Sequence, residues 1–215
     1  MNTITRTFAI AAGLTLALAG SASAQSQESG ANGAGRWEIS AFPGGGILFT
    51  EGDSANTPDF GEYALGASAT FNVNRWIGVE GEVGAGISVD QDLSFAAGVQ
   101  RDGKVPHTLA YNGNVVYSPL GSDRAIVPYV TGGAGGLTLF NRDEVTALGL
   151  ANDETFFTSN VGGGVKWFAS RHVGLRADYR FIAIASKDDA PAFFGLDETR
   201  YGHRIYGGIV LTGGR

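Results

Sequence analysis

The sequence predicts an all-β fold: an eight-stranded antiparallel transmembrane β-barrel with short periplasmic turns and long extracellular loops. Three observations carry that prediction. Eight segments after residue 35 alternate in polarity with a period of two, the repeat of a strand whose successive side chains face opposite ways. Within Val173–Ile184, Arg176, Asp178 and Arg180 share one parity with His172, while Val173, Leu175, Ala177, Tyr179 and Phe181 share the other. A polar interior and a lipid-facing exterior account for both parities at once. The connections between segments alternate short and long, as the two rims of such a barrel require.

The chain opens with an export pattern. Arg6 precedes an apolar run from Phe8 to Gly20, and Ser21-Ala22-Ser23-Ala24 supplies a small-x-small cleavage site. The run is 13 residues long, short of the roughly 20 that a membrane-spanning helix needs. Residues 1–24 are therefore expected to be a secretory signal peptide, 25–35 a flexible leader and 36–215 one barrel domain. Cleavage would leave about 190 residues, enough for one domain. The exported chain has no Cys, so disulfides do not stabilise it. With 34 Gly and no Gly-X-Y repeat, glycine is expected inside strands, where it marks tight curvature or close approach. The net charge of −6 argues against nucleic acid as a partner.

The strands follow in order. Trp37–Phe49 carries Glu38 on the polar parity and the run Gly44-Gly45-Gly46. Glu62–Asn72 carries Glu62, and Trp76–Ser88 carries Glu80 and Glu82. Thr108–Ser118 has the same length and alternation. Ile126–Phe140 contains Gly132-Gly133 and Gly135-Gly136, and Phe156–Phe168 contains Gly162-Gly163-Gly164 with Lys166. His172–Ile184 and Tyr201–Thr212 close the set, the last with Arg204. Most exceed the roughly 9–11 residues of a tilted membrane strand. Val73–Arg75, Pro119–Ala125 and Ala169–Arg171 are short, with turn residues such as Asn74 and Pro119-Leu120-Gly121. Thr50–Gly61, Val89–His107, Asn141–Thr155 and Ala185–Arg200 are long and hold 14 acidic against 5 basic residues. That acidity is ordinary solvation of long loops, or else a rim for divalent cations at a lipopolysaccharide surface.

Aromatic residues collect at strand ends. Trp37, Trp76 and Trp167 fall on the short-turn side, the placement of rings at a membrane interface. Phe49, Tyr63, Phe140 and Phe157 fall on the long-loop side. Trp76 shares the parity of Glu80 and so points nominally inward, or belongs to the turn.

Three stretches resemble a known family: Phe71-Asn72-Val73-Asn74-Arg75-Trp76-Ile77-Gly78-Val79-Glu80, Val127-Pro128-Tyr129-Val130-Thr131-Gly132-Gly133-Ala134-Gly135, and Gly162–Phe168 continuing through Arg171–Arg180. The mature chain is similar to the OmpA-like small outer-membrane β-barrel family. The resemblance implies architecture and an outer-membrane location rather than an activity. Members often end in an aromatic residue read by the insertion machinery, whereas this sequence ends Leu211-Thr212-Gly213-Gly214-Arg215, and no peptidoglycan-binding domain is expected after it. The implied partners are outer-membrane lipid and lipopolysaccharide, the barrel-insertion machinery and a surface ligand at the loops.

Parity places Glu38, Glu62, Glu80, Glu82 and Asp178 inside the barrel with Lys166, Arg176, Arg180 and Arg204. These charges cannot face hydrocarbon, where each Arg or Lys at mid-depth costs roughly 2–4 kcal/mol. A network of ion pairs filling the lumen is favoured over a gated pore, because eight strands enclose only enough space for side chains. Catalysis is not expected. The three His, His107, His172 and His203, are scattered, and none shows a Ser two residues on, as an acyl-hydrolase pattern would need. Asp188-Asp189 and Asp143-Glu144 lack calcium-loop spacing, and the glycine runs lack a following Lys-Ser/Thr, so no metal or cofactor is expected. Phe193-Phe194 is an apolar pair in the last loop, suited to lipid or a host surface, or to packing within the loop. The rival architecture is a soluble lipocalin-like barrel, which inverts the two faces and carries a small apolar ligand.

Overall fold

The computed structural model describes residues 35–50, 60–88, 90–94, 100–104, 107–140, 154–186 and 199–213. The segment expected to be a signal peptide, nearly all of the expected leader, and Asp143-Glu144, Asp188-Asp189 and Phe193-Phe194 lie outside them. The described residues form ten strands: β1 (Arg36–Thr50), β2 (Phe60–Asn72), β3 (Ile77–Ser88), β4 (Asp90–Ser94), β5 (Gln100–Lys104), β6 (His107–Tyr117), β7 (Ile126–Phe140), β8 (Glu154–Phe168), β9 (Val173–Ile184) and β10 (Arg200–Thr212). Eight of them form a closed antiparallel barrel in the cyclic order β1-β2-β3-β6-β7-β8-β9-β10. The β4–β5 pair is a separate hairpin that prolongs the β3–β6 connection, where the sequence suggested only a long loop. No described helix is long and apolar enough to cross a membrane, which says nothing of a β-barrel.

Closure fixes the tilt. A row of paired residues starting at Glu38 passes through Thr70, Glu80, Asn114, Gly133, Asn160, Ile182 and Gly202 and returns to β1 at Phe49. That displacement is the stagger that tilted strands need to close a cylinder. One irregularity interrupts it: β1 carries an extra residue between Ala41 and Gly46 against both neighbours. This is a β-bulge, which bends the strand locally.

The short turns are held by side chains. Asn74 Oδ1 accepts from the backbone N–H groups of Trp76 and Ile77, both at 2.8 Å. Ser170 Oγ does the same for His172 and Val173. Gly121 supplies the left-handed conformation (φ +89°) of the third turn. These captures move two expected strand residues. Trp76 and His172 belong to turns, and β3 and β9 begin one residue later than alternation suggests. Trp76 is therefore not inward-pointing; it is exposed, with the Arg75 guanidinium 5.1 Å from its ring.

The outward parity is apolar around the cylinder. Val79, Val115, Val130, Val161, Leu175 and Ile205 are all exposed, Val161 at 60% and Ile205 at 63%. In water such a continuous apolar wall would drive association; in hydrocarbon it is the required surface. Trp37 and Trp167 end this wall on the short-turn side, Trp37 beside Phe71 at 5.0 Å between ring centres.

Candidate functional site

The inward side chains form a layered lumen. All nine charged residues placed inside by parity are buried: Glu38, Glu62, Glu80, Glu82, Lys166, Arg176, Asp178, Arg180 and Arg204. Two more that sequence reasoning left out, Arg36 and Arg200, are buried with them. Their parity matches Glu38 and Arg204, but they sit at a domain boundary and a loop end, where alternation was not carried through.

The middle layer is one connected network. Arg176 Nη1 reaches Glu80 Oε2 at 2.6 Å and its Nη2 reaches Asp178 Oδ2 at 3.1 Å. Arg180 joins Glu80 at 2.8 Å, Asp178 at 2.9 Å and Glu82 at 3.2 Å, and Arg204 reaches Glu82 at 2.6 Å. Neutral groups add further hydrogen bonds to these ions. Tyr129 Oη donates to Asp178 at 2.6 Å and accepts from Arg176 Nε at 2.8 Å; Asn160 Oδ1 accepts from Arg180 at 2.9 Å; Thr70 donates to Glu80 at 3.1 Å. Nearer the short turns, Lys166 Nζ pairs with Glu38 at 2.5 Å, and Asn72 donates to the other Glu38 oxygen at 3.0 Å. Arg36 donates to the Ser122 carbonyl at 2.7 Å, tying the first barrel strand to a turn. Glu62 stands apart from this layer and accepts from Thr108 Oγ1 at 2.6 Å.

Toward the long connections the lumen turns largely apolar, with Glu62, Thr108 and Arg200 buried beside the apolar residues, which corrects the expectation of a polar interior. Phe42, Ile47, Phe49, Leu137, Leu139, Phe156, Ile182 and Ile184 form one buried cluster toward the long-connection ends of their strands. Phe49 points inward, buried to 0% within this cluster, and does not belong to a membrane girdle; Phe140 is buried too but shares the parity of exposed Val130, and Tyr63 and Phe157 face outward. Phe49 shares the parity of outward Trp37, and only the extra residue between Ala41 and Gly46 turns it to the inner face.

Glycine makes room for the cross-lumen groups. The Tyr206 ring lies stacked on Phe42 (4.8 Å), with the Arg204 guanidinium 4.2 Å from its centre and its hydroxyl donating to the Leu65 carbonyl. A Cβ at Gly84 would come within 2.4 Å of the Tyr206 hydroxyl, and one at Gly86 would collide with both Glu62 and Thr108. The glycines on this face are therefore sockets for facing side chains.

The His residues do not converge. His172 is in a short turn, His107 starts β6, and His203 lies on the outer wall with its Nδ1 2.8 Å from Tyr179 Oη. Among the described residues no group of three or more potential metal ligands comes together.

Comparison with known proteins follows the geometry. A family model described as the outer membrane protein beta-barrel domain matches residues 10–199. No curated protein sequence matches the chain. Several solved structures share the fold at low identity. Neisserial surface protein A superposes with a TM-score of 0.53 at 12% identity, covering 83% of this chain and 97% of its own. The outer membrane protein OprG from Pseudomonas aeruginosa gives 0.51 at 16% identity, covering 85% and 97%. Ail, the attachment invasion locus protein of Yersinia pestis, solved in complex with the heparin analogue sucrose octasulfate, gives 0.51 at 14%, covering 83% and 99%.

Proposed function

This chain belongs to the outer membrane protein beta-barrel domain family, and from that premise we propose that it is a closed structural barrel of the outer membrane. Its role is to contribute to envelope integrity and to carry surface loops. One observation carries the reading: the lumen is blocked by two layers in series, a connected ion network and an apolar cluster above it. An ion entering the first would displace paired charges, and in the second it would lose its water to a hydrophobic constriction. A narrow pore would need both layers to move together.

The segment 1–24 acts as the export signal in this reading. The loops contact lipopolysaccharide or a surface ligand, and the insertion machinery assembles the barrel. Ail was crystallised with a polysulfated ligand, but the long connections of this chain carry 14 acidic against 5 basic residues, the wrong sign for a polyanion. A cationic or neutral surface partner fits better.

The test joins fractionation to electrophysiology. The protein should appear in the outer-membrane fraction, migrate faster on gels before boiling than after, and give no steady conductance in planar bilayers. Stable single-channel steps from the unmodified barrel would overturn the closed reading.

A further inference from the structure

The outer wall of the barrel carries a groove of about 690 Å³ where β1, β2 and β10 meet. Its floor is made by glycines, Gly46 and Gly61, and its sides by Leu48, Tyr63, His203 and Ile205. The groove follows from the bulge in β1: the glycine run leaves a gap in an otherwise continuous apolar surface. Tyr63 donates its hydroxyl to the Pro43 carbonyl at 2.5 Å, which lays the ring along the strand as one wall.

We propose that this groove seats an acyl chain of outer-leaflet lipopolysaccharide. The proposal rests on the reading of the barrel as spanning the outer membrane with its long connections outward. The groove is continuous with the lipid-facing wall and lies in the long-connection half of all three strands, which places it in the outer leaflet. Left empty, its lining would lose dispersion contacts; water inside would find few polar partners on such walls. A flexible acyl chain satisfies the shape and the chemistry together. Glu62 lines its inner edge, and on the outer wall the polar exception is His203. Its Nδ1 is engaged by Tyr179 Oη, and Phe181 packs against the ring at 5.3 Å between centres. Nε2 remains as the ring's other polar atom, suited to an ester carbonyl or a hydroxyl on the acyl chain.

Native mass spectrometry of the full chain in mild detergent tests this, with purified lipid A and a phosphatidylethanolamine of matched chain length as probes. Gly46→Leu fills the groove, and a Cβ there meets nothing closer than 3.9 Å, so the variant can fold. Gly113→Leu adds the same side chain to β6, opposite β10 in the ring, where a Cβ meets nothing within 4 Å. The unmodified chain and Gly113→Leu should retain lipid A, and Gly46→Leu should retain it about tenfold less well. Equal retention by Gly46→Leu would overturn the seat, as would equal retention of phosphatidylethanolamine. A dimer lost only in Gly46→Leu would assign the groove to a second copy instead. Gel mobility separates the two levels. If all three proteins shift on boiling and the lipid pattern fails, the seat is wrong and the barrel reading stands. If the unmodified chain shows no shift, the reading beneath it falls.

Discussion

Arg176 and Glu80 stand on strands diametrically opposite in the ring, β9 and β3, and their side chains meet in the centre of the lumen at 2.6 Å. Neither exposes its side chain to solvent. The pair is thus a strut across the barrel diameter, reinforced by Ser40 and Ser68, which accept from the same guanidinium nitrogen at 3.3 and 3.1 Å. In a barrel without disulfides, such struts join strands that the hydrogen-bond ladder does not join directly.

Breaking the strut from one side should be costly, because the partner is left buried with part of its charge uncompensated. Arg176→Ala is expected to lower stability by about 3–5 kcal/mol. Arg176→Met combined with Glu80→Met should recover part of that loss, since neither charge is then stranded. The folded fraction against urea, read from the two gel bands, measures both. A single variant that unfolds at the same urea concentration as the parent would contradict a structural role for the network.

The sockets predict a second pattern. A Cβ at Gly84 collides with the Tyr206 hydroxyl, whereas one at Gly81, on the outward parity, meets nothing within 4 Å. Gly84→Ala should therefore reduce the folded yield and Gly81→Ala should not. Tyr206→Phe removes the colliding oxygen and should restore much of what Gly84→Ala loses. Refolding yield into detergent micelles for the four proteins decides the matter; additive losses in the double variant would mean that Gly84 matters for its backbone instead.

Which face meets lipid is testable with one charge at two depths. Val161, in the middle of β8, is exposed on the apolar parity, and Trp167 is exposed near the short-turn end of the same strand. Val161→Arg should destabilise the barrel in lipid by roughly 2–4 kcal/mol and Trp167→Arg by about 0–1 kcal/mol from the charge alone. A lipocalin-like arrangement would show no such dependence on depth. Equilibrium unfolding in phospholipid vesicles gives the comparison.

Alternation located the eight barrel strands to within two residues at each end, because burial on one parity is the strongest local constraint on a strand. It failed where side chains override the ladder. Asn74 captures two backbone N–H groups and pulls Trp76 out of β3, which parity has no means of showing. The β4–β5 hairpin was missed because Asp90–Ser94 and Gln100–Lys104 carry turn-like composition rather than an apolar face. The charged members of the lumen were legible, since ions have nowhere else to go in a membrane. The apolar layer was not, because the bulge between Ala41 and Gly46 turns Phe49, on the parity of Trp37, to the inner face. Only closure of the ring, which brings Glu38 and Phe49 into one stagger of β1, shows that the same face changes from ionic to apolar along the barrel.

That change gives the last prediction its logic. If ions alone blocked the lumen, removing the central strut would open it; if the apolar layer is a second seal, it would not. Arg176→Ala with Glu80→Ala should leave planar bilayers silent, because Phe49, Leu139 and Phe156 remain packed above the vacated space. Phe49→Ala with Phe156→Ala should also be silent, since the ion network below is untouched. Only the four substitutions together should yield conductance. Conductance from the charge pair alone would show that the apolar cluster does not seal. Silence from the fourfold variant, confirmed as folded by gel mobility, would place the seal in Tyr129, Tyr206 and Arg180, the large side chains that still fill the cross-section.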